Sequence, residues 1–169
     1  MVDMSKVAGL QDVLRQQKGL QSITSRINAA TGIRQMIAEI CPLLIDLFRV
    51  EAAHVFVREK NRQDVYTFTG QTGDVKTVLG PQTLPGYIAN EGKMIHISDF
   101  NKSDQIEAYR DFPVSGGGDS RFGLPVRQIL AMPIFYGGEI LGAVEVLNKK
   151  EDGPFGEKEP ALLQNISEL

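Results

Sequence analysis

QILAMPIFYGGEILGAVEVLNKKEDGPFGEKE, residues 128–159, reads as a β-hairpin that hands over to a helix. Ile129 to Tyr136 is an apolar run. Gly137-Gly138 then supplies the positive φ angles that a tight primed hairpin turn needs. Ile140 to Leu147 returns as a second strand, with Gly142 and Ala143 small enough for close packing. Beyond it stand Asn148-Lys149, five residues, Phe155, three residues and Glu159, before a helix predicted from Glu157 to Leu169 in which Leu162, Leu163, Ile166 and Leu169 lie three or four apart.

Upstream, Leu10, Val13, Leu20, Ile23 and Ile27 recur at intervals of three and four, which predicts a helix over Met4 to Ala30. Its apolar stripe is narrow, as in a seam between helices. It is expected to pair with its counterpart in a second chain, the alternative being docking on its own domain. Thr31-Gly32 breaks the pattern, and a denser apolar face (Ile37, Ile40, Leu43, Leu44, Leu47) predicts a buried helix over Ile33 to Phe48, kinked at Pro42. Ala52 to Arg58, Val65 to Thr69 and Lys76 to Leu79 read as strands. In the first, Val55 and Val57 face one way and His54 and Phe56 the other; Tyr66 and Phe68 share a face of the second. Leu84 to Gly92 predicts a short helix closed by its glycine, followed by a strand over Met94 to Ile97. A short helix over Asp104 to Tyr109 and a loop over Phe112 to Pro125 complete the series.

At 169 residues the chain has the length of one domain, able to bury roughly 70% of its unfolded surface. Its net charge of −3, with no basic block, argues against nucleic acid as a partner. No run approaches the ~18 apolar residues of a membrane span, and the amphipathic N-terminus lacks a signal-peptide core, so membrane insertion is not expected and a cytoplasmic location is. The single cysteine, Cys41, allows neither an internal disulfide nor a thiolate-zinc cluster. The pattern runs to Leu169 without a helix cap, so a continuation into a further module is expected.

Local phrases in this order resemble the GAF domain family. Leu84-Pro85-Gly86-Tyr87-Ile88-Ala89 with Glu91-Gly92-Lys93 is similar to that family's helix and the turn after it, leading into the strand before Asp99. Residues 127–134 (RQILAMPI), residues 141–149 (LGAVEVLNK) and Asn148-Lys149…Phe155…Glu159 resemble its later strands and its Asn-Lys…Phe…Asp-Glu signature. The resemblance covers about residues 20–169. It implies an α+β fold of three layers, α/β/α and GAF/PAS-like, around a mostly antiparallel six-stranded sheet. The chain divides accordingly into residues 1–30, a dimerisation helix, and residues 31–169, the sensor domain. The signature departs from the family at its end, where Pro160 stands in place of the second acidic residue. Asn148, Lys149, Phe155 and Glu159 are read as an architectural clasp, the alternative being ligand contacts.

The resemblance also implies a ligand between the sheet and the helices and loops on one face. Mapped here, the candidates are Phe68, Tyr87, Ile88, Asp99, Phe100, Tyr109, Phe112, Arg121 and Arg127: rings to stack on a base, a carboxylate to accept hydrogen bonds, a guanidinium to meet an anion. No catalytic or metal-binding residues are assigned. There is no nucleophile–base pattern. Cys41 lies in the second helix, away from the pocket positions that bilin-binding and methionine-sulfoxide-reducing GAF domains use. His54 and His96, without supporting carboxylate spacing, are read as ordinary half-buried residues, and Asp99, Asp104, Glu107 and Asp111 as caps and solvated face. Gly116-Gly117-Gly118 lacks the Gly-Lys-Ser/Thr of a phosphate loop.

The expected function is regulatory: a non-enzymatic sensor with no cofactor. It would bind a nucleotide-like or other small metabolite, cyclic nucleotides among them, and signal through its terminal helices as a homodimer. Its output domain would stand in the same chain or in a partner protein. The alternatives are a ligand-free homodimerisation module, a PAS-type sensor and, weakened by the cysteine count, a free methionine sulfoxide reductase.

Overall fold

The computed structural model describes residues 4–69, 73–102 and 120–168. In chain order the elements are α1 (Met4–Ala29), α2 (Ile33–Phe48), β1 (Val50–Arg58), β2 (Val65–Thr69), β3 (Val75–Leu79), α3 (Leu84–Glu91), β4 (Ile95–Ile97), β5 (Ser120–Arg121), β6 (Leu124–Pro125), β7 (Ile129–Tyr136), β8 (Glu139–Lys149) and α4 (Lys158–Ser167). Six strands form one antiparallel sheet in the order β3-β2-β1-β8-β7-β4, and β5 and β6 make a separate small hairpin. This is an α+β fold with helices on both faces of the sheet.

The β7–β8 hairpin turns at Gly137 and Gly138, with φ of 59° and 83°. Such a turn suits the right-handed twist of the strands it joins. Side chains then alternate between faces, and each face buries its own cluster. Ala53, Val55, Leu130, Met132, Val144 and Val146 meet Ile37, Ile40 and Leu44 of α2, Ile23 of α1, and Leu163 and Ile166 of α4. On the other face Ile129, Ala131, Ala143 and Leu147 meet Leu84 and Ile88 of α3, with Ile95, Ile97 and Phe100. Gly142 sits where β8 passes β1: a Cβ there would collide with the Phe56 carbonyl.

Local chemistry places α3. Thr83 caps its start, its Oγ1 accepting from the Gly86 amide at 3.3 Å and donating to the Gly80 carbonyl at 2.6 Å. Gly92, at φ 66°, closes it by donating to the Ile88 carbonyl. A Cβ at Gly86 would strike the Gly80 carbonyl, so glycine lets the helix settle against the preceding turn. α2 runs unbroken through Pro42 and ends at Arg49 in the left-handed region, φ 52°.

α1 lies along α2, and Arg15 donates to the Leu47 carbonyl at 3.0 Å and the Asp46 carbonyl at 3.3 Å. That places a cation on the last carbonyls of α2, at the negative end of its dipole. Burial on α1 is concentrated in its second half, at Ile23, while Leu10, Val13 and Leu14 of the first half are exposed. No described helix is long and apolar enough to cross a membrane.

Two sequence expectations change. The predicted loop over Phe112 to Pro125 contains, in its described part, the β5–β6 hairpin, turned by Phe122 and Gly123 at φ 50° and 86°. The first strand begins at Val50 instead of Ala52, because its register against β8 extends to Lys149. The helix predicted over Asp104 to Tyr109 lies outside the described residues.

Candidate functional site

On the α3 face, small side chains open the floor of the sheet. Ala52, Ala131 and Ala143 surround a polar pair, His54 of β1 and Glu145 of β8, directly opposite one another in the ladder. Glu145 is 1% exposed, and its Oε1 lies 2.9 Å from His54 Nδ1. A carboxylate in the middle of an apolar sheet face loses hydration that only hydrogen bonds from its surroundings restore.

The β5–β6 hairpin brings Phe122 over this pair. Its ring centroid lies 5.0 Å from that of His54, edge-on, and 6.5 Å from that of buried Phe56, nearly parallel. These are ordinary ranges for aromatic contacts. Thr67 of β2 is buried on the same side, next to Val65, which packs with Phe56 and Ala89. The site is thus a buried carboxylate beside an imidazole, with the partly exposed Phe122 ring of the short hairpin packed on His54 and Phe56.

The nine ligand candidates read from the sequence are placed as follows where the structure describes them. Ile88 and Phe100 are buried within the α3-face cluster, and Tyr87 packs against it from a half-buried position. Asp99 shapes the turn after β4, its Oδ1 accepting from the Asn101 amide at 2.9 Å. Phe68 stands on the opposite face, against the α1–α2–α4 cluster, because Tyr66 is in register with Val57 and carries Phe68 to the helical side with it. Arg127 is drawn to Glu51 at 2.8 Å at the sheet's end. Arg121 closes β5, its backbone paired with Leu124 of β6. Tyr109 and Phe112 lie outside the described residues.

The Asn148-Lys149…Phe155…Glu159 signature forms a contiguous lock between β8, β7 and α4. Asn148, fully buried at φ 55°, makes four side-chain hydrogen bonds. Its Oδ1 accepts from the amides of Arg127 and Gln128 at 2.7 and 3.0 Å, and its Nδ2 donates to Glu51 Oε2 and the Pro125 carbonyl at 2.9 and 2.8 Å. Lys149 Nζ reaches Glu159 Oε1 at 3.1 Å, while Glu159 Oε2 accepts from the Gly156 amide at 2.8 Å. Phe155 is buried in the helical-face cluster. Hydrogen bonds from Arg127 and then Asn148 hold the Glu51 carboxyl below the usual range. At Glu159 burial pushes the other way, but the Lys149 and backbone hydrogen bonds outweigh it and lower the value.

Among the described residues, no group of three or more His, Cys, Asp and Glu side chains is placed to hold a metal ion. His54 and His96 are on opposite faces; His96 is paired with Leu130 and its ring sits 6.3 Å from Phe155. Cys41 packs against the helical-face cluster, where burial raises its thiol pKa to about 11.

His54, Glu145 and Phe122 were not assigned to the site from sequence. The signal available was Glu145 itself, an acidic residue inside the apolar run from Ala143 to Leu147, at a position of the same parity as its inward neighbours.

Comparison with known proteins bears on the whole of this architecture. The family model for the GAF domain matches residues 32–169. Among solved structures, the GAF domain of a phosphoenolpyruvate-protein phosphotransferase from Coxiella burnetii superposes with a TM-score of 0.66 at 20% identity, covering 91% of this chain and 89% of that one. The corresponding domain from Acinetobacter gives 0.65 at 14%, covering 99% and 90%. The free methionine-R-sulfoxide reductase from Neisseria meningitidis, in complex with its substrate, gives 0.62 at 14%, covering 90% and 83%. No curated protein matches the chain.

Proposed function

Because this chain belongs to the GAF domain family, we propose that it is a regulatory sensor that binds a small metabolite and acts through its terminal helices on an output domain. The observation that carries this reading is the Glu145–His54 pair, buried under the Phe122 hairpin. A carboxylate paired with an imidazole and flanked by aromatic rings is suited to recognise donors: an amine, an amidine or the N–H edge of a heterocycle stacked against a ring. Nucleotide-like compounds carry both the ring and the donor edge.

The role is binding, without catalysis. Support comes from Cys41, the chain's single thiol, which lies on the helical side with its pKa raised to about 11 and is a weak nucleophile at neutral pH. Signalling requires that the ligand bind two arrangements of the helices unequally; equal affinity shifts nothing. The signature lock joins the two sides, since Asn148 continues the strand that carries Glu145, and Lys149 next to it holds α4 through Glu159.

A thermal-shift screen against cyclic nucleotides, purines and 2-oxo acids tests the proposal. A ligand at 100 times its Kd stabilises by ~2.7 kcal/mol, a rise of roughly 5–10 °C for a chain of this size. Glu145→Gln is expected to abolish that response. No response from the unaltered protein, or one untouched by Glu145→Gln, overturns the reading. A second reading, a homodimer whose pocket stays empty, draws on the exposed Leu10, Val13 and Leu14 of α1; native mass spectrometry showing an unliganded dimer would favour it.

A further inference from the structure

The helical side of the sheet holds a cavity of about 460 Å³ between α1, α2 and α4 and strands β1, β7 and β8. Its walls are mainly aliphatic, with Ile23, Ile40 and Leu44 from the helices and Val55, Ile134 and Val144 from the strands, joined by the rings of Phe135 and Tyr136. No charged side chain lines it. Ser167, one of its polar side chains, already donates to the Gln164 carbonyl at 2.9 Å. Water gains little in such a space, since each molecule needs two to four polar partners.

At Ile33, Val57 and Leu141 the cavity meets an open groove of about 950 Å³ with the opposite character. The β1–β2 turn lines this groove with Arg58, Lys60 and Arg62, against Glu59 and Glu139. Glu59 is taken up by Lys76 at 2.6 Å, so the groove is left with an excess of positive charge.

The geometry points to a second ligand site, on the face opposite Glu145, for a single-chain amphiphile with an aliphatic tail and an anionic head, of which a medium-chain fatty acid is the simplest form. The tail fills the aliphatic cavity, and the carboxylate stays in the wet groove near Lys60 and Arg62. The cavity is within the ~300–1,000 Å³ range of small-molecule pockets, which suits a tail of roughly ten carbons. Such a ligand wedges between the sheet and the three helices that the proposed sensing role also uses. It does so independently of what binds at the Glu145 site.

Titration calorimetry with sodium decanoate below its micelle concentration, with 1-decanol as the uncharged control, tests this. The protein is expected to bind one decanoate, with a negative heat-capacity change from apolar burial. Leu141 is 45% exposed and lines both cavity and groove, so the larger ring of Leu141→Trp takes up volume that the bound chain needs there and is expected to weaken binding at least about tenfold. The surface pair Lys60→Gln/Arg62→Gln is expected to weaken decanoate by about threefold and leave decanol unchanged. Glu145→Gln should leave both affinities unaltered. Absence of saturable binding, equal affinity after Leu141→Trp, an unchanged preference for decanoate in the charge variant, or loss of binding in Glu145→Gln would each overturn the assignment.

Discussion

Asn148→Ala tests whether the signature lock holds the fold together. The side chain removed is fully buried and makes hydrogen bonds to two amides, one carbonyl and one carboxylate. At about 1 kcal/mol net apiece these amount to ~4 kcal/mol. Alanine adds about 1 kcal/mol more, because Asn148 sits at φ 55°, where a Cβ without a locally bonding side chain is disfavoured. The expected loss is thus about 5 kcal/mol for alanine and about 4 kcal/mol for Asn148→Gly, which loses the same bonds and tolerates the backbone. In urea, with a slope of about 2 kcal/mol per molar, the alanine midpoint falls by roughly 2.5 M and the glycine midpoint by roughly 2 M. A fall of under about 0.5 M at unchanged slope would refute the view that these bonds hold β6, β7 and β8 in place. Glycine less stable than alanine would refute the backbone part alone.

Phe155→Ala, which empties a buried ring site in the helical-face cluster, is expected to cost ~3–5 kcal/mol, read as a denaturant midpoint. Glu159 has a carboxyl pKa lowered in the fold from 4.5, so the stability it contributes is present above that value and is lost as pH falls through the lower folded value; the gap in midpoint between the unaltered protein and Glu159→Gln should therefore close in acid and stay open at neutral pH. Cys41, raised to about 11 by burial, should react with iodoacetamide far more slowly in the native protein at pH 8 than in urea, and equal rates would contradict its packing against α2's neighbours. Gly142→Ala should cost more than about 3 kcal/mol or prevent folding, since the added Cβ meets backbone of β1 that has nowhere to move.

Much of the architecture was legible in the residues. Apolar spacing of three and four marked α2, alternation marked β1 and β2, and Gly137-Gly138 marked the central hairpin, each within a segment of the chain. Thr83 and Gly92 bracketed α3 for the same reason: a cap is chemistry between neighbours. The family signature was legible too, as a spacing. Its geometry was not, because the partners of Asn148 include Glu51 and Pro125, 97 and 23 residues away.

The site depended more heavily on tertiary structure. Alternation put Tyr66 and Phe68 together, but only the register of β1 on β2 decided that they face the helices instead of the pocket. Arg127 reads equally well as an anion ligand or a structural cation, and Glu51, 76 residues away, takes it. His54 and Glu145 stand 91 residues apart, and nothing local predicts that their strands run side by side with these two residues directly opposite. The amino-acid sequence by itself determined helices, strands, turns and family, because those follow from interactions between residues a few positions apart. Which face each side chain took, and so which carboxylate became buried beside an imidazole, was decided by strand order and register, which come into being only when distant segments pair.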